Sequence, residues 1–379
     1  MKYNKINFLY RTPVSIYASY MYYKGLENAL RRNNLLYYAY DLSSKESLQM
    51  EELFKYPILS VTGSWEPVFN IIKLIFGRQF IAEINPESLF PIKKENFQIS
   101  EPFRKNYFRI LKLYYFQILK LYFQKIKKLI WQKNYREIKT LLKRYFLKPR
   151  SIEGKDYFEV IKKRVKYFNL YFSPVEGDIN KYFGKPCYWF PSWANIKILD
   201  DSTSPASNKL GFIGSIRGQR INFFSQDKNK IIEFANTTFK GNFLENTKEL
   251  CRLINRYEYL LCPMGVRVKT MPGKVFEFMA CKRLVFCYLN EEYMFKSKRL
   301  FEDEKEIVYF KTFPELEEKY RYYLKNPKEA EQIAERGYEK VRKYHNADVR
   351  AKWFAKIILH HANGGENEDS YNDLSQYGV

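Results

Sequence analysis

The residues with the clearest chemical potential lie in the segment 257–290. An apolar run ends at Pro263, a loop containing glycine and proline follows, and a short helical pattern begins at Gly273. A helix start presents backbone N–H groups and the positive end of the helix dipole, and Lys274 adds a cation there, which together suit an anion such as phosphate. Glu277, one turn further along, can accept hydrogen bonds from hydroxyl groups. Phosphate and hydroxyl ligands within one helical turn favour a nucleotide sugar.

A second group of candidate phosphate ligands lies upstream, where the run LGFIGS (210–215) predicts a strand that ends at Gly214. Glycine permits a tight turn at that point. Arg217 and Arg220 follow near the predicted start of a helix. An arginine guanidinium can donate two hydrogen bonds at once to the oxygens of a phosphate group. Because both loops would leave the same edge of one sheet, we expect them to form one site. Its predicted members are Gly214, Arg217, Arg220, Gly273, Lys274 and Glu277.

Strand and helix patterns alternate along the chain on both sides of a polar stretch, LDDSTSPASN (199–208). In the first half, the predicted strands are 5–11, 35–41, 57–63, 79–84, 169–172 and 187–190. Such alternation is typical of α/β proteins with parallel, doubly wound sheets, which bind ligands at the carboxyl ends of their strands. The polar stretch is the most linker-like part of the chain, so we expect two Rossmann-like domains joined there.

The segment PGKVFEFMACKRLVF (272–286) resembles the (R/K)xFExMAC segment of the group 1 glycosyltransferases, nearest the spore-maturation CgeB type. Two more segments match in the same order, GFIGSIRGQR (211–220) and the helical stretch 322–358. The resemblance covers about the last 170 residues well and the first half only in its pattern. It implies the GT-B fold, in which two Rossmann-like domains face a cleft.

The resemblance also implies a function, the transfer of a sugar from a nucleotide-sugar donor held by the second domain to an acceptor held by the first. Glu277 would contact the ribose or the sugar, and the start of its helix and basic side chains would stabilise the leaving diphosphate without a metal. The implied acceptor is a glycan, a lipid-linked molecule or another surface polysaccharide. Retention or inversion at the sugar carbon stays open.

The predicted domain organisation combines these patterns with the resemblance. It consists of an acceptor domain (1–195) with a helical insertion (about 104–150), a linker (196–209), a donor-binding domain (210–346), a helix that crosses back to the first domain (347–362) and a disordered tail (363–379).

The position of the histidines limits the choice of a catalytic base. The three histidines of the chain are His345, His360 and His361, all near the carboxyl terminus, so the first domain has none. A base from that domain must therefore be a carboxylate. Glu66, Glu83 and Asp41 lie at predicted strand ends and are candidates, of which Glu66 and Glu83 are the predicted bases.

The sequence predicts neither a metal site nor a bound cofactor, because no HxH, HExxH, DxD or CxxC pattern occurs. Five cysteines lie mostly in apolar runs, which favours buried thiols in a reducing compartment. The first residues lack an apolar core of signal-peptide length, and no apolar run is long enough for a membrane span. We therefore expect a cytoplasmic protein.

The basic segment 104–150 holds 15 Lys or Arg residues and one acid, so it carries +14 of the net charge of +23. Aromatic residues are interleaved with the cations. Three interpretations remain open: a structural pair of helices with a solvated basic face, an interfacial helix on the inner face of an anionic membrane, or a nucleic-acid surface. The last is the least favoured, because no nucleic-acid-binding motif accompanies the charge.

A rival hypothesis makes the chain a catalytically degenerate GT-B scaffold that binds membranes or polyanions through the basic segment. Its support lies in departures from the family pattern. Lys269 stands where retaining relatives often have a second glutamate, and Lys282 replaces the glycine that usually follows MAC. The first loop, RTPVS (11–15), also lacks the frequent glycines.

Overall fold

The structure is a computed structural model that describes residues 2–10, 17–41, 48–61, 79–84, 166–173, 184–196, 207–214, 219–235, 243–263, 271–289, 294, 297–366 and 375. All of these residues belong to one compact unit, formed by residues 1–89 and 161–379. Glu66, Arg217, the basic segment 104–150 and most of the predicted linker lie outside the described residues, so the predictions made for them stay predictions.

The first half of the chain forms a parallel sheet of six strands. Its elements are β1 (Ile6–Tyr10), α1 (Tyr17–Arg32), β2 (Leu36–Asp41), α2 (Met50–Leu53), β3 (Ile58–Val61), β4 (Ile81–Ile84), β5 (Leu170–Ser173) and β6 (Cys187–Trp189). The strand order is β2-β1-β3-β4-β5-β6, and every neighbouring pair is parallel.

The second half forms a parallel sheet of five strands. Its elements are β7 (Ser207–Ile213), α3 (Gln219–Phe224), β8 (Ile232–Ala235), α4 (Phe243–Asn255), β9 (Tyr257–Cys262), α5 (Gly273–Ala280), β10 (Leu284–Tyr288), a 3₁₀ turn (Ser297–Leu300), β11 (Val308–Phe310), α6 (Phe313–Lys325), α7 (Pro327–Tyr344) and α8 (Ala347–Ala362). The strand order is β11-β10-β9-β7-β8, again all parallel.

Both sheets share one winding pattern. The first strand of each lies inside the sheet, the second strand pairs on one side of it, and the later strands extend on the other side. The winding direction therefore reverses between β1 and β3 in the first sheet and between β7 and β9 in the second. Doubly wound sheets bind ligands in the crevice at such a switch point, beside the carboxyl ends of the strands. The predicted pair of doubly wound α/β domains is confirmed.

The second sheet is buried on both faces, which is why its strands read as nearly continuous apolar runs. On one face, Val275 and Phe276 of α5 pack with Ile254 of α4. On the other face, Leu316 of α6 and Ile333 of α7 pack against the same strands. The helix α5 is therefore held in the core along its length, with its first residue at the carboxyl edge of the sheet.

The last helix, α8, packs against the first sheet. The ring of Phe354 lies 4.7 Å from that of Phe172 in β5, and Arg32 of α1 forms an ion pair with Asp348 at 3.0 Å. Ahead of the helix, Ala194 donates a hydrogen bond to the His345 carbonyl (2.9 Å) and accepts one from the Ala347 amide (3.0 Å). These bonds join the two chain segments that precede the linker and α8.

The described residues include the first part of the predicted tail. The Asn363 side chain accepts a hydrogen bond from the Tyr3 amide at 2.8 Å and donates one to the Tyr3 carbonyl at 3.1 Å. The sequence patterns did not predict β8, α4 or β11. In α4, weak helix formers, Asn246 and Thr247, lie at the centre. None of the described helices is long and apolar enough to cross a membrane.

Candidate functional site

The carboxyl end of β7 forms the first wall of the candidate site. Gly214 follows the strand with φ +155°, and its amide donates a hydrogen bond to the Ala235 carbonyl at 3.2 Å. A Cβ at this position would lie 3.0 Å from the Lys274 ammonium and 3.1 Å from the ring tip of Phe212. The backbone conformation and the crowding both require glycine. The turn thus brings the backbone close to Lys274 with no side chain between them.

The helix α5 forms the second wall. Pro272, in an extended conformation, precedes Gly273, and none of the described side chains caps this helix start. The Val275 amide donates a hydrogen bond to the Pro272 carbonyl at 3.0 Å. The residues from Val275 to Ala280 are all buried, so the core holds the helix and its uncapped start faces the edge of the sheet. This arrangement leaves backbone donors and a positive dipole end for an anion.

Lys274 connects the two walls. Its ammonium donates a hydrogen bond to the carbonyl of Ile213, the last residue of β7. Burial lowers the pKa of Lys274, Glu277 opposes this effect, and the nearby Arg220 adds to it. The ammonium is therefore a poorly solvated cation whose hydrogen-bond partner is a neutral carbonyl. A bound anion would stabilise its charged form.

Glu277 lies one turn after Lys274 and is only 9% exposed. No described residue donates a hydrogen bond to its carboxylate, and burial raises its pKa, an effect that Lys274 partly opposes. A buried carboxylate without hydrogen-bond donors is unfavourable. It would gain from a ligand that brings hydroxyl groups.

Arg220, in the first turn of α3, folds back over β7. Its guanidinium carbon lies 5.5 Å from the centre of the Phe212 ring. Cys262, the last residue of β9, lies beneath these cations. Burial raises the pKa of its thiol to about 12, although Lys274 and Arg220 act in the opposite direction. The thiol is therefore a neutral part of the floor and not a nucleophile.

The structure brings together five of the six residues predicted to bind the donor, namely Gly214, Arg220, Gly273, Lys274 and Glu277. Arg217, the sixth, lies outside the described residues, as does Glu66. Glu83 belongs to β4 of the first sheet, where its backbone is in register with Ser60 and Tyr171. The side chain of Glu83 lies outside the described part of the structure, so its role stays a prediction.

The sequence reasoning missed a buried carboxylate in the first half of the chain, Glu27 of α1. It accepts hydrogen bonds from Tyr10 (2.5 Å), Lys24 (2.7 Å) and Arg31 (2.9 Å). Burial by itself would raise the pKa of Glu27, but the bonds from Lys24 and Tyr10 outweigh it and lower the pKa. The spacing of Lys24, Glu27 and Arg31 on one helix face was the available signal. A carboxylate with three donors is a structural anchor and a poor base.

The described residues contain no group of three or more His, Cys, Asp or Glu side chains that could hold a metal ion. His345 lies fully buried, with its ring 5.3 Å from that of Phe276 and 5.4 Å from that of Phe301. Its Nδ1 lies 3.1 Å from the Arg350 guanidinium. It therefore belongs to the core behind α5.

Residues 214–356 match a family model described as Glycosyl transferase-like. The match begins at the Gly214 turn and includes Arg220, Lys274 and Glu277, so the candidate site lies inside the matched region. The predicted enzyme class, a glycosyltransferase, is confirmed by this similarity. A comparison with curated proteins found no match.

Solved structures with a similar backbone fold include a glycosyltransferase from Rickettsia africae. It aligns with a TM-score of 0.50 and 10% identity over 96% of this chain and 100% of that one. The Anabaena protein HepE, in complex with UDP-glucose, aligns with a TM-score of 0.49 and 11% identity over 94% of this chain and 99% of that one. The first likeness and the two parallel sheets fit the predicted GT-B fold.

Proposed function

We propose that the chain transfers a sugar from a nucleotide-sugar donor bound at the carboxyl edge of the second sheet. The observation that carries the proposal is the group formed by Arg220, Lys274 and the uncapped start of α5 around the Gly214 turn. Two cations and a helix start at the switch point of a doubly wound sheet match the charge and position of a diphosphate.

The same group suits the chemistry of the transfer. When the bond between the sugar carbon and the diphosphate oxygen breaks, negative charge accumulates on the leaving diphosphate. Lys274, Arg220 and the amides at the start of α5 can stabilise that charge from fixed positions. We therefore propose that the transfer needs no divalent cation, since protein groups supply the positive charge.

Glu277 would complete the donor site by accepting hydrogen bonds from hydroxyl groups of the ribose or the sugar. Its carboxylate is buried, lies within the electrostatic range of Lys274, and has no donor among the described residues. Hydroxyl groups would replace the water that the carboxylate lost on folding. The nucleotide base and the sugar are not part of the proposal.

For the acceptor side, we propose a glycan, a lipid-linked molecule or another surface polysaccharide bound by the first domain, with Glu66 or Glu83 as the base. We further propose a CgeB-like role in polysaccharide biosynthesis at the cytoplasmic face of a membrane, with segment 104–150 on anionic lipid. Each cation at such a surface contributes about 1 kcal/mol. Co-sedimentation with phosphatidylglycerol vesicles should therefore occur at low salt and diminish at high salt.

The donor proposal is tested by a thermal-shift screen with UDP, GDP, ADP, CMP and dTDP, followed by calorimetry on two arginine variants. Arg220→Ala should weaken the best nucleotide about tenfold to a hundredfold, the cost of one charged hydrogen bond. Arg256→Ala is the matched control, because Arg256 also lies 5.5 Å from an aromatic ring, that of Tyr257, but at the amino end of β9. A folded wild-type protein that none of the five nucleotides stabilises would contradict the donor site.

The rival hypothesis of a degenerate scaffold makes a different prediction for catalysis. An active transferase should slowly hydrolyse its nucleotide sugar when no acceptor is present, whereas a degenerate scaffold should release no free sugar. Glu277→Ala in the same assay shows whether the hydrolysis takes place at the proposed site. Sedimentation with vesicles but no hydrolysis by the wild type would favour the rival.

A further inference from the structure

We propose that Phe212 is a positioning residue for the donor diphosphate, because its ring holds the Arg220 guanidinium beside Lys274. The inference rests on the proposed function and adds a residue that makes no contact with the donor itself. Phe212 lies in β7, two residues before the Gly214 turn, and is only 2% exposed.

The first observation is the contact between the ring and the cation. Arg220 lies in the first turn of α3, eight positions after Phe212, and its guanidinium carbon is 5.5 Å from the ring centre. A guanidinium is attracted by the face of an aromatic ring at this distance, and the attraction grows where water is excluded.

The second observation is that the ring itself cannot turn away. Phe212 lies 4.7 Å from Phe224 of α3 and 6.1 Å from Phe234 of β8, and these two rings lie 5.0 Å apart. The backbone pairing of β7 with β8 places Phe212 and Phe234 in register. The support for Arg220 is therefore built from two strands and a helix, which makes it rigid.

The third observation is the electrostatic conflict that the ring offsets. Arg220 lies close enough to Lys274 to lower its pKa, so the two cations repel each other. The tip of the Phe212 ring is 3.1 Å from the position of a Cβ on Gly214, and the Lys274 ammonium is 3.0 Å from the same point. The ring thus reaches under the turn and keeps Arg220 near Lys274 before any anion neutralises the pair.

These contacts predict that Phe212 acts only through Arg220. Leucine at this position would keep an apolar side chain in the core but offers no aromatic face to a cation. Tyrosine would add an oxygen at the ring tip, toward the Gly214 turn, so it is unsuitable as a conservative variant. Phe286→Leu is the matched control, because Phe286 is fully buried on the same face of the sheet, among Tyr259, Tyr320 and Tyr323.

The test is a double-mutant cycle in which calorimetry measures the binding of two ligands to the full chain, inorganic pyrophosphate and the nucleotide that stabilises the protein most in the thermal-shift screen. Phe212→Leu should weaken both about threefold to tenfold. Added to Arg220→Ala, it should cause no further loss, while Phe286→Leu should match the wild type. Equal losses with and without Arg220, or no loss in Phe212→Leu, would overturn the inference and leave the proposed function standing.

A wild type that binds none of the five nucleotides and no pyrophosphate would overturn both the proposed function and the role of Phe212 in it. A measurement on the ligand-free protein tests the contact between Phe212 and Arg220 independently of ligand binding. The Arg220 Nε–H resonance, assigned by its loss in Arg220→Ala, should shift in Phe212→Leu and stay in place in Phe286→Leu. An unchanged resonance in Phe212→Leu would show that the ring does not hold the guanidinium.

Discussion

Two helices of this protein carry the same short pattern, lysine followed three residues later by glutamate, and use it in opposite ways. In α1, Lys24 bonds Glu27 at 2.7 Å, and Tyr10 and Arg31 complete the set of donors. In α5, Lys274 donates to the Ile213 carbonyl instead, and Glu277 has no donor among the described residues.

Both glutamates are buried, with exposures of 4% and 9%, so burial does not separate them. The difference lies in their partners, which lower the pKa of Glu27, whereas the pKa of Glu277 is raised. A buried carboxylate that has its donors stabilises the fold. One that lacks them costs stability, and binding of a hydroxyl-bearing ligand would offset the cost.

The largest expected effect is on donor binding. Glu277→Ala should weaken the best nucleotide sugar about tenfold to a hundredfold, because hydrogen bonds to a charged group are lost. The matched change Glu27→Ala should leave the affinity of the folded protein unchanged. Calorimetry at a temperature where both variants are folded distinguishes them, and equal losses in the two would remove the distinction between these residues.

The two lysines give a second contrast. Lys274→Met should weaken nucleotide binding by a similar factor, because the variant has no ammonium to stabilise the charge of the diphosphate. Lys24→Met should not change nucleotide affinity. A Lys274→Met protein that binds the nucleotide as tightly as the wild type would contradict the role of this ammonium.

The stability of the apoprotein should respond in the reverse sense. Glu27→Gln should lower the free energy of unfolding by about 1–3 kcal/mol, because buried Tyr10 loses a charged acceptor. Glu277→Gln should be neutral or stabilising, since it removes a buried charge that has no described donor. Urea unfolding of both variants is the measurement, and a Glu277→Gln protein less stable than Glu27→Gln would reverse the assignment.

The pH dependence of unfolding should separate the two carboxylates by sign. The folded-state pKa of Glu27 is below its ordinary 4.5, so its contribution is complete above that value and is lost as the pH falls through the lowered pKa. The folded-state pKa of Glu277 is above 4.5, so its contribution is most favourable below that value and is lost as the pH rises through the raised pKa. Relative to the wild type, Glu277→Gln should therefore gain stability with rising pH, and Glu27→Gln should lose it.

The smallest effect concerns the ends of the same two helices. Asn34 follows α1 with φ 56°, and Lys282 follows α5 with φ 54°. Asparagine tolerates this left-handed conformation better than lysine. Lys282→Gly should raise the free energy of unfolding by up to about 1 kcal/mol. The loss of the Lys282 contacts with Glu335 and Tyr338 would reduce this gain. Asn34→Gly should be closer to neutral, and a destabilised Lys282→Gly would show that those contacts outweigh the strain.

Most of the fold could be predicted because the parallel strands are buried on both faces and read as short apolar runs. The strand β2 was predicted within one residue and β4 within two. Gly214, Lys274 and Glu277 could be predicted because each follows a strand end at a local turn or helix start. The contact of Arg220 with Phe212 could not, because it depends on the position of α3 relative to β7.

The sequence by itself determined that two helices, KGLE (24–27) and KVFE (274–277), place a lysine and a glutamate on one face, since a helical turn brings residues three apart together. Tertiary structure decided what each pair does. The side chain of Tyr10, at the end of β1, reaches Glu27, whereas the end of β7 offers Lys274 only a backbone carbonyl. Long-range packing determines which partners each pair has, and the spacing of residues along a helix does not encode that packing.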